Sequence, residues 1–326
     1  MNDVQPMILL GPDDVDALAT SAVGLAAAAE TARLCGEGTI KTGRVQVNGD
    51  ISWMRIMAGL VDDLDLLGYK EFHRVGQRVR YHVHLFRQST GDPIATIDGR
   101  RITGLRTASL ASVAARHWAG TAPQRVGLIG SGEEAKEGLR ALVGAINVSE
   151  AFVYSPTPAN REAYAKEMTL ETGTKVTSVA EQNQVMNSCD VLYVATSSHN
   201  EPFLSGDELG SVRFIAAIGS TMPVHRELRG GVFLACDEVV VDTMDATHES
   251  GDCIEATELG WDATSAITLG NYLMRPPLPA AEGRTLFKSI GSVEQDLVLA
   301  YYLAQEAIRT GRGTEITDVA SLRIMR

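Results

Sequence analysis

Cysteine is scarce in this sequence, and its few copies are scattered. The 326 residues contain four, at Cys35, Cys189, Cys236 and Cys253, with no CxxC pair and no histidine at zinc-finger spacing. This pattern argues against a disulfide framework and against a structural zinc site. We therefore expect reduced, mostly buried thiols in a cytoplasmic protein.

The sequence also has fewer basic than acidic residues, and it lacks long apolar runs. The chain has 29 basic against 41 acidic side chains, a net charge of −12, and an acidic surface repels nucleic acid. No apolar stretch approaches the roughly 20 residues that cross a bilayer. The first residues, MNDVQPMILLGPDDVDAL, lack the basic segment of a secretory signal. We expect a globular protein that binds neither nucleic acid nor membrane.

The periodicity of apolar residues changes near residue 120. Before it, a short strand at 8–10 precedes an Ala-rich helix capped by Asp13 or Asp14, and residues 42–100 alternate apolar with polar, as half-buried antiparallel strands do. A helix is expected over 103–118. Beyond the break at 121–123, buried strands alternate with helices, and a long helix covers 293–311. The strands are expected at 126–129, 151–154, 175–176, 191–194, 214–218 and 239–241, with helices at 133–145 and 160–171.

This alternation predicts an α/β fold, with a Rossmann-type doubly wound parallel sheet and a separate α+β domain. We place the α+β domain at residues 1–120, joined by a C-terminal helix at about 300–326. The parallel-sheet domain then covers residues 121–299.

A glycine loop follows the first buried strand of the parallel-sheet domain. It reads GSGEEA at 130–135, a GxGxxA motif between a strand and a helix. Gly130 permits a tight turn, Gly132 lets the backbone approach a pyrophosphate, and Ala135 keeps the helix close to the sheet. The alternative is a glycine-rich connection without a nucleotide. The motif predicts dinucleotide binding by Gly130, Ser131, Gly132, Glu133, Glu134 and Ala135.

The end of the second strand bears on the choice of dinucleotide. NAD-binding domains place an acid there for the ribose hydroxyl, but here Tyr154 is followed by Ser155 and no acid. Ser155, Thr157 and Arg161 can bind a 2′-phosphate instead, which favours NADP(H) and leaves NAD(H) possible. The alternative is that Thr157 and Asn160 only cap the next helix and that Arg161 is solvated.

Three basic residues stand in distinctive surroundings: Arg55 in WMRIM, Lys70 in LGYKEF and Arg106 in TGLRTAS. Together with these segments and the glycine loop, further motifs make nearly the whole chain resemble the ornithine cyclodeaminase/μ-crystallin family. Those motifs are TG at 90–91, IDG at 97–99, IGS at 218–220, ESGD at 249–252 and KSIG at 288–291.

The resemblance implies that Arg55, Lys70 and Arg106 bind the carboxylate of an amino or imino acid, with Lys70 beside the reacting carbon. Guanidinium groups suit a carboxylate, and like charges lower the pKa of a lysine so that it can exchange a proton. The alternative is three solvated basic side chains. By the same resemblance, the cofactor is contacted by Arg106, Thr196, Ser197, Ile218, Gly219, Ser220 and Ser289.

One position departs from the cyclodeaminases, which carry an aspartate for the substrate amine in the loop after the strand at 214–218. Here the matching residue is Thr221, or Ser220 if the loop shifts. A hydroxyl stabilises an ammonium less well than a carboxylate does. Thr221 therefore suits reduction of a preformed imine, with the hydroxyl or a bound water relaying a proton.

Together with these residues, the resemblance implies an NAD(P)H-dependent oxidoreductase that reduces a ketimine or Δ1-pyrroline-2-carboxylate type of α-imino acid. The reverse reaction would be an amino-acid dehydrogenation, such as that of alanine. One alternative is a cyclodeaminase-type lyase that uses bound NAD, and another is a non-catalytic, μ-crystallin-like binding protein. The resemblance implies a homodimer formed through the strands at 42–100. Residues 1–120 and about 300–326 then form the substrate-binding and dimerisation domain, and residues 121–299 bind NAD(P).

Two groups of residues keep open interpretations. His82 and His84 alternate on a strand and could ligate a metal, but no third ligand is evident, so a sheet face is favoured and no metal is expected. Arg74, Arg78 and Arg80 form a basic run that either extends the pocket towards a second carboxylate or pairs with acids at a subunit interface.

Overall fold

The computed structural model describes residues 6–197, 201–278 and 283–317. The chain divides into two compact units. The first unit combines Met1–Arg106 with Val293–Arg326, and the second is Thr107–Ser292.

The elements are numbered along the chain. The strands are β1 Met7–Leu10, β2 Ile40–Asn48, β3 Ser52–Val61, β4 Leu66–Val75, β5 Arg78–Arg87, β6 Pro93–Asp98, β7 Gln124–Ile129, β8 Val148–Tyr154, β9 Val176–Ser178, β10 Val191–Val194, β11 Phe214–Ala217, β12 Glu238–Val241, β13 Ile267–Thr268, β14 Thr285–Lys288 and β15 Thr314–Ile316. The helices are α1 Pro12–Leu18, α2 Ser21–Glu37, α3 Arg100–Ala119, α4 Glu133–Ala145, α5 Pro158–Thr172, α6 Gln182–Met186, α7 Gly231–Leu234, α8 Ala246–Glu249, α9 Gly251–Glu258, α10 Leu269–Leu273 and α11 Val293–Thr310.

The first unit is a sheet covered on one face by helix α11, against which α2 packs. The strand order is β15-β1-β6-β5-β4-β3-β2, and β2 to β6 pair antiparallel, which confirms the antiparallel sheet expected over 42–100. Alternation puts Val83 and Leu85 on the covered face, where they share a buried core with Leu297 and Leu303 of α11.

The second unit is a parallel sheet with strand order β13-β12-β14-β11-β10-β7-β8-β9. Strand β7 is the third strand from one edge, with β8 and β9 on one side and β10 and β11 on the other. The direction of strand order therefore reverses at β7. In open parallel sheets, ligands bind at the carboxyl ends of the strands beside such a reversal. The doubly wound Rossmann-type sheet is confirmed.

Some expected boundaries are wrong. The long helix α11 ends at Thr310, because Gly311 and Gly313 have positive φ angles of 67° and 87°, and β15 follows. The helix expected over 300–326 therefore does not continue beyond 310, and residues 318–326 lie outside the described residues. Helix α1 is capped by Gly11, whose amide donates to the Asp14 carboxylate within the first turn.

Other features bear on the classes of site. Among the described residues, no helix has the length and apolarity of a membrane span, and no three His, Cys, Asp or Glu side chains form a group that could hold a metal. All four cysteines are free thiols; Cys189 and Cys253 are buried, whereas Cys35 and Cys236 are half-buried.

Candidate active site

The cofactor residues predicted in the second unit lie at one edge of its parallel sheet. They follow five strands that are neighbours in the order β14, β11, β10, β7 and β8. In that order they are Ser289, Ile218 to Ser220, Thr196 with Ser197, the glycine loop at 130–135, and Ser155. The sheet therefore brings together residues from widely separated parts of the sequence.

The geometry of the glycine loop fits a pyrophosphate. Gly130 has φ +116°, and a Cβ there would lie 2.1 Å from the carbonyl oxygen of Ala195. Gly132 is the N-cap of α4 and caps it with no side chain, so amides of the first turn face outward. Apart from the adjoining backbone, no atom of the described residues lies within 4 Å of the place where a Gly132 Cβ would stand. Open space in front of a helix N-terminus is what a bound phosphate needs.

The end of β8 carries a hydroxyl and a guanidinium. Ser155 is buried and accepts a hydrogen bond from the Ser131 hydroxyl at 3.0 Å. Arg161 donates to the Ser155 carbonyl at 2.9 Å, and its guanidinium carbon lies 6.0 Å from the centroid of the Tyr154 ring. Thr157 is the N-cap of α5, but its side chain makes no capping hydrogen bond and is exposed. Ser155 and Arg161 are thus in contact, and Thr157 lies between them in the sequence.

The loop after β11 distinguishes the two hydroxyls that were considered there. Ser220 is fully buried and donates to the His225 carbonyl at 2.5 Å, whereas Thr221 is exposed. The hydroxyl that can face a ligand is therefore that of Thr221. At the next strand, the Ser289 hydroxyl donates to Asp242 at 2.7 Å, so this buried serine is fixed by an acid that sequence reasoning missed.

In the first unit, Lys70 and Arg106 share one carboxylate. The Lys70 Nζ donates to Asp296 Oδ1 at 2.8 Å and to Thr103 Oγ1 at 2.9 Å, and the lysine is only 4% exposed. The Arg106 Nε lies 3.6 Å from the same Asp296 oxygen, and its Nη1 donates to Gln295 at 2.9 Å. Helix α11 therefore supplies the acid that holds the two cations together.

Arg55 and Lys70 both lie close to the ring of Phe72. In the pairing of β3 with β4, Arg55 lies opposite Phe72, two residues beyond Lys70 on the same face of the sheet. The Arg55 guanidinium carbon is 5.4 Å from the centroid of the Phe72 ring, and Lys70 Nζ is 5.8 Å from it. The Arg55 Nε also donates to Gln46 at 2.8 Å. All three basic residues predicted from the sequence thus belong to one cluster.

The register shows a further arginine that sequence reasoning missed. Arg44 pairs with Met57, and Met57 pairs with Lys70, so Arg44 stands in the same row and on the same face. The signal was the alternation along β2, which places every second residue on that face. Asp296 had no such signal, because it lies 226 residues from Lys70.

The opposite face of this sheet carries the histidines. His82 Nδ1 lies 2.6 Å from Glu71 Oε1, and His84 Nδ1 lies 3.1 Å from the Thr96 hydroxyl. The ring of His84 stacks on Tyr69 with centroids 4.6 Å apart. Burial, with the nearby charge of His82, lowers the pKa of His84. These imidazoles point away from the face that holds Lys70.

The basic run is divided between the two faces of the same sheet. Arg74 shares the face of Lys70 and donates through Nε to the Gly76 carbonyl at 2.6 Å. Arg78 and Arg80 share the face of His82.

The sequence of this chain is similar to known proteins of one family. Residues 68–311 match the model of the ornithine cyclodeaminase/mu-crystallin family. A Δ1-pyrroline-2-carboxylate reductase of Bacillus cereus is 28% identical over 273 residues, which cover 80% of this chain and 83% of that protein. The ketimine reductase mu-crystallin of Mus musculus is 27% identical over 218 residues, covering 67% and 66%.

A solved structure extends the similarity to the whole fold. The Δ1-pyrroline-2-carboxylate reductase of Thermococcus litoralis, in complex with NADH and L-proline, has a TM-score of 0.86 and 25% identity, and the match covers 95% of this chain and 100% of that one. The chain therefore belongs to the ornithine cyclodeaminase/mu-crystallin family.

Proposed function

We propose that this protein is an NAD(P)H-dependent oxidoreductase that reduces an α-imino acid, of the ketimine or Δ1-pyrroline-2-carboxylate type, to the amino acid. The reverse reaction is an amino-acid dehydrogenation, such as that of alanine. The observation that carries the proposal is the buried cluster in which Asp296 joins Lys70 and Arg106. The reductase activities named for the relatives support it.

In this proposal the cations of the first unit recognise the substrate. Arg106 and Arg55 bind the carboxylate of the imino acid, since a guanidinium donates two parallel hydrogen bonds to it. Lys70 contacts the same acid group and stands next to the imine nitrogen. Asp296 Oδ1 lies 2.8 Å from the Lys70 Nζ and compensates its charge in a site that is nearly closed to water.

The residues that would hold the dinucleotide follow the carboxyl ends of β14, β11, β10, β7 and β8. The amides at Gly132 and the start of α4 bind its pyrophosphate, and Ser155, Thr157 and Arg161 bind a 2′-phosphate, which makes NADP(H) the preferred cofactor. When bound, the reduced nicotinamide supplies a hydride. The binding surface is completed by Ile218, Gly219, Thr196, Ser197 and Ser289.

The chain's own contribution to the reaction is the proton. As the imine carbon receives the hydride, the imine nitrogen takes a proton from the Lys70 ammonium, directly or through a water. The product is the amino acid, and Lys70 regains its proton from solvent.

Loss of absorbance at the reduced-nicotinamide band, with Δ1-pyrroline-2-carboxylate as substrate, tests the proposal. We expect oxidation of NADPH faster than of NADH. Lys70→Met should abolish turnover and leave dinucleotide binding intact. Lys41→Met is the matched control, since Lys41 is 71% exposed and pairs only loosely with Asp62, at 3.6 Å. Turnover by Lys70→Met would reject the role of Lys70.

The same assay separates the other candidate activities. Release of ammonia from ornithine without net change of the cofactor would indicate a cyclodeaminase, which the neutral, exposed Thr221 disfavours. Tight dinucleotide binding with no turnover of any imine or amino acid would indicate a binding protein.

We also propose that the protein is a homodimer that pairs through the uncovered face of the first unit's sheet. Val45 and Val47 on β2 lie on that face at 56% and 67% exposure, and Met54 stands opposite Val47. An exposed apolar patch of this kind, bordered by charged side chains, marks an interface. Val47→Asp should shift the mass measured by light scattering from dimer to monomer. A cytoplasmic location stays a prediction.

A further inference from the structure

A buried carboxylate lies at the carboxyl edge of the parallel sheet, in the loop after β11. Glu227 is fully buried. Its Oε1 accepts from the Thr196 amide at 2.6 Å and from the Thr196 hydroxyl at 2.7 Å, and its Oε2 accepts from the Gly219 amide at 2.7 Å. One side chain therefore accepts from three donors through both of its oxygens, which a carboxylate can do and a glutamine amide, with a single oxygen, cannot.

These three hydrogen bonds join two loops. Thr196 follows β10 and Gly219 follows β11, and the two strands are neighbours in the sheet. Because Gly219 and Glu227 begin and end the loop that presents Thr221, the carboxylate also closes that loop at its base. A Cβ at Gly219 would lie 2.3 Å from Glu227 Oε1, so the contact depends on the glycine.

The position of Glu227 is fixed in turn by other buried charges. Asp252 Oδ1 accepts from the amides of Glu227 and Leu228 at 2.8 and 3.1 Å. The other Asp252 oxygen lies 3.3 Å from the Nζ of Lys288, at the end of β14, and both side chains are fully buried. Burial raises the pKa of Glu227, against the opposing effects of the Lys288 charge and the hydrogen bonds from Thr196.

We propose that Glu227 is a positioning residue for the dinucleotide: it holds the loops after β10 and β11 in the arrangement that binds the cofactor. This inference rests on the proposed function. Glutamine has nearly the same volume, but it replaces one acceptor oxygen by an NH₂ donor. In Glu227→Gln, that donor must face an amide of Thr196 or Gly219, and the loops must move apart.

The test is the Kd for NADPH, titrated by fluorescence, with thermal unfolding measured in parallel. We expect Glu227→Gln to weaken binding about tenfold, as the loss of one charge-assisted hydrogen bond would. Glu238→Gln is the matched control, since Glu238, at the start of β12, accepts from the Thr285 hydroxyl at 3.3 Å and pairs with Arg275, and both contacts lie outside the two loops. The control should keep the wild-type Kd.

A merely structural role would lower the unfolding midpoint of Glu227→Gln and leave the Kd of the folded protein unchanged, and that result would overturn the inference. If the glutamine variant does not fold, Glu227→Asp decides, because its shorter side chain cannot reach both loops; a wild-type Kd in that variant also overturns it. Failure of the wild-type protein to bind NADPH or NADH would instead overturn the proposed function, and the inference with it.

Discussion

Replacing Asp296 by asparagine removes the carboxylate shared by Lys70 and Arg106 while keeping its shape. The Lys70 and Asp296 side chains are 5% and 2% exposed and 2.8 Å apart, so water screens the pair poorly. Removing one partner of a buried ion pair costs about 3–5 kcal/mol, because the remaining charge stays desolvated. Here a second cation, Arg106, loses the same carboxylate. We expect Asp296→Asn to lower the free energy of unfolding by about 4 kcal/mol.

Urea denaturation followed by circular dichroism measures this loss of unfolding free energy. In a thermal melt, the Tm should fall by roughly 10 °C. Lys70→Met should cost less, about 2 kcal/mol, because Asp296 keeps Arg106 at 3.6 Å. Asp16→Asn is the control: Asp16 is 44% exposed and pairs with Arg100 and Arg101 at the surface, so it should cost less than about 1 kcal/mol. An Asp296→Asn protein within about 1 kcal/mol of wild type would refute the reasoning.

Three further outcomes follow from single residues. Gly130→Ala should abolish NADPH binding in a calorimetric titration, because its Cβ would lie 2.1 Å from the Ala195 carbonyl at a φ that alanine avoids; binding within threefold of wild type would contradict this. Arg161→Ala should raise the KM for NADPH about tenfold and leave that for NADH unchanged, since only NADPH offers it a 2′-phosphate; an equal rise for both would count against a 2′-phosphate contact. The pKa of His84 is lowered below 6.5 by burial and by His82, so the unfolded chain takes up a proton first as the pH falls. Stability should therefore be complete above pH 6.5 and decline below it, and His84→Gln should flatten that decline in pH-dependent thermal melts. An unchanged decline would show that another group is responsible.

The sequence predicts the second unit well because its strands are buried on both faces. Val191–Val194 and Glu133–Ala145 have the expected bounds, since an uninterrupted apolar run and a glycine N-cap are local signals. Strand β14 was missed: it is four residues long and ends in Lys288, whose charge is buried only because Asp252 arrives from a distant helix.

In the candidate site too, local sequence signals identify some residues, whereas contacts between distant residues determine the others. Lys70 and Arg106 stand out in their local sequences, but the acid that joins them does not, because no spacing relates Asp296 to Lys70 across 226 residues. Glu227 is likewise recognisable only through its bonds to Thr196 and Gly219, which tertiary packing brings together. Sequence patterns identify what a strand or a loop presents, whereas the partners of buried charges are set by the folded chain.

Helix α11 has a consequence for biosynthesis. It closes the core of the first unit with Leu297 and Leu303, although the strands it covers precede it by some two hundred residues. The segment that forms β2 to β6 therefore emerges from the ribosome long before α11 is synthesised. Until then, the apolar face of the sheet is uncovered and Lys70 lacks the carboxylate of Asp296. Nascent chains halted before residue 293 must be shielded from one another until translation resumes.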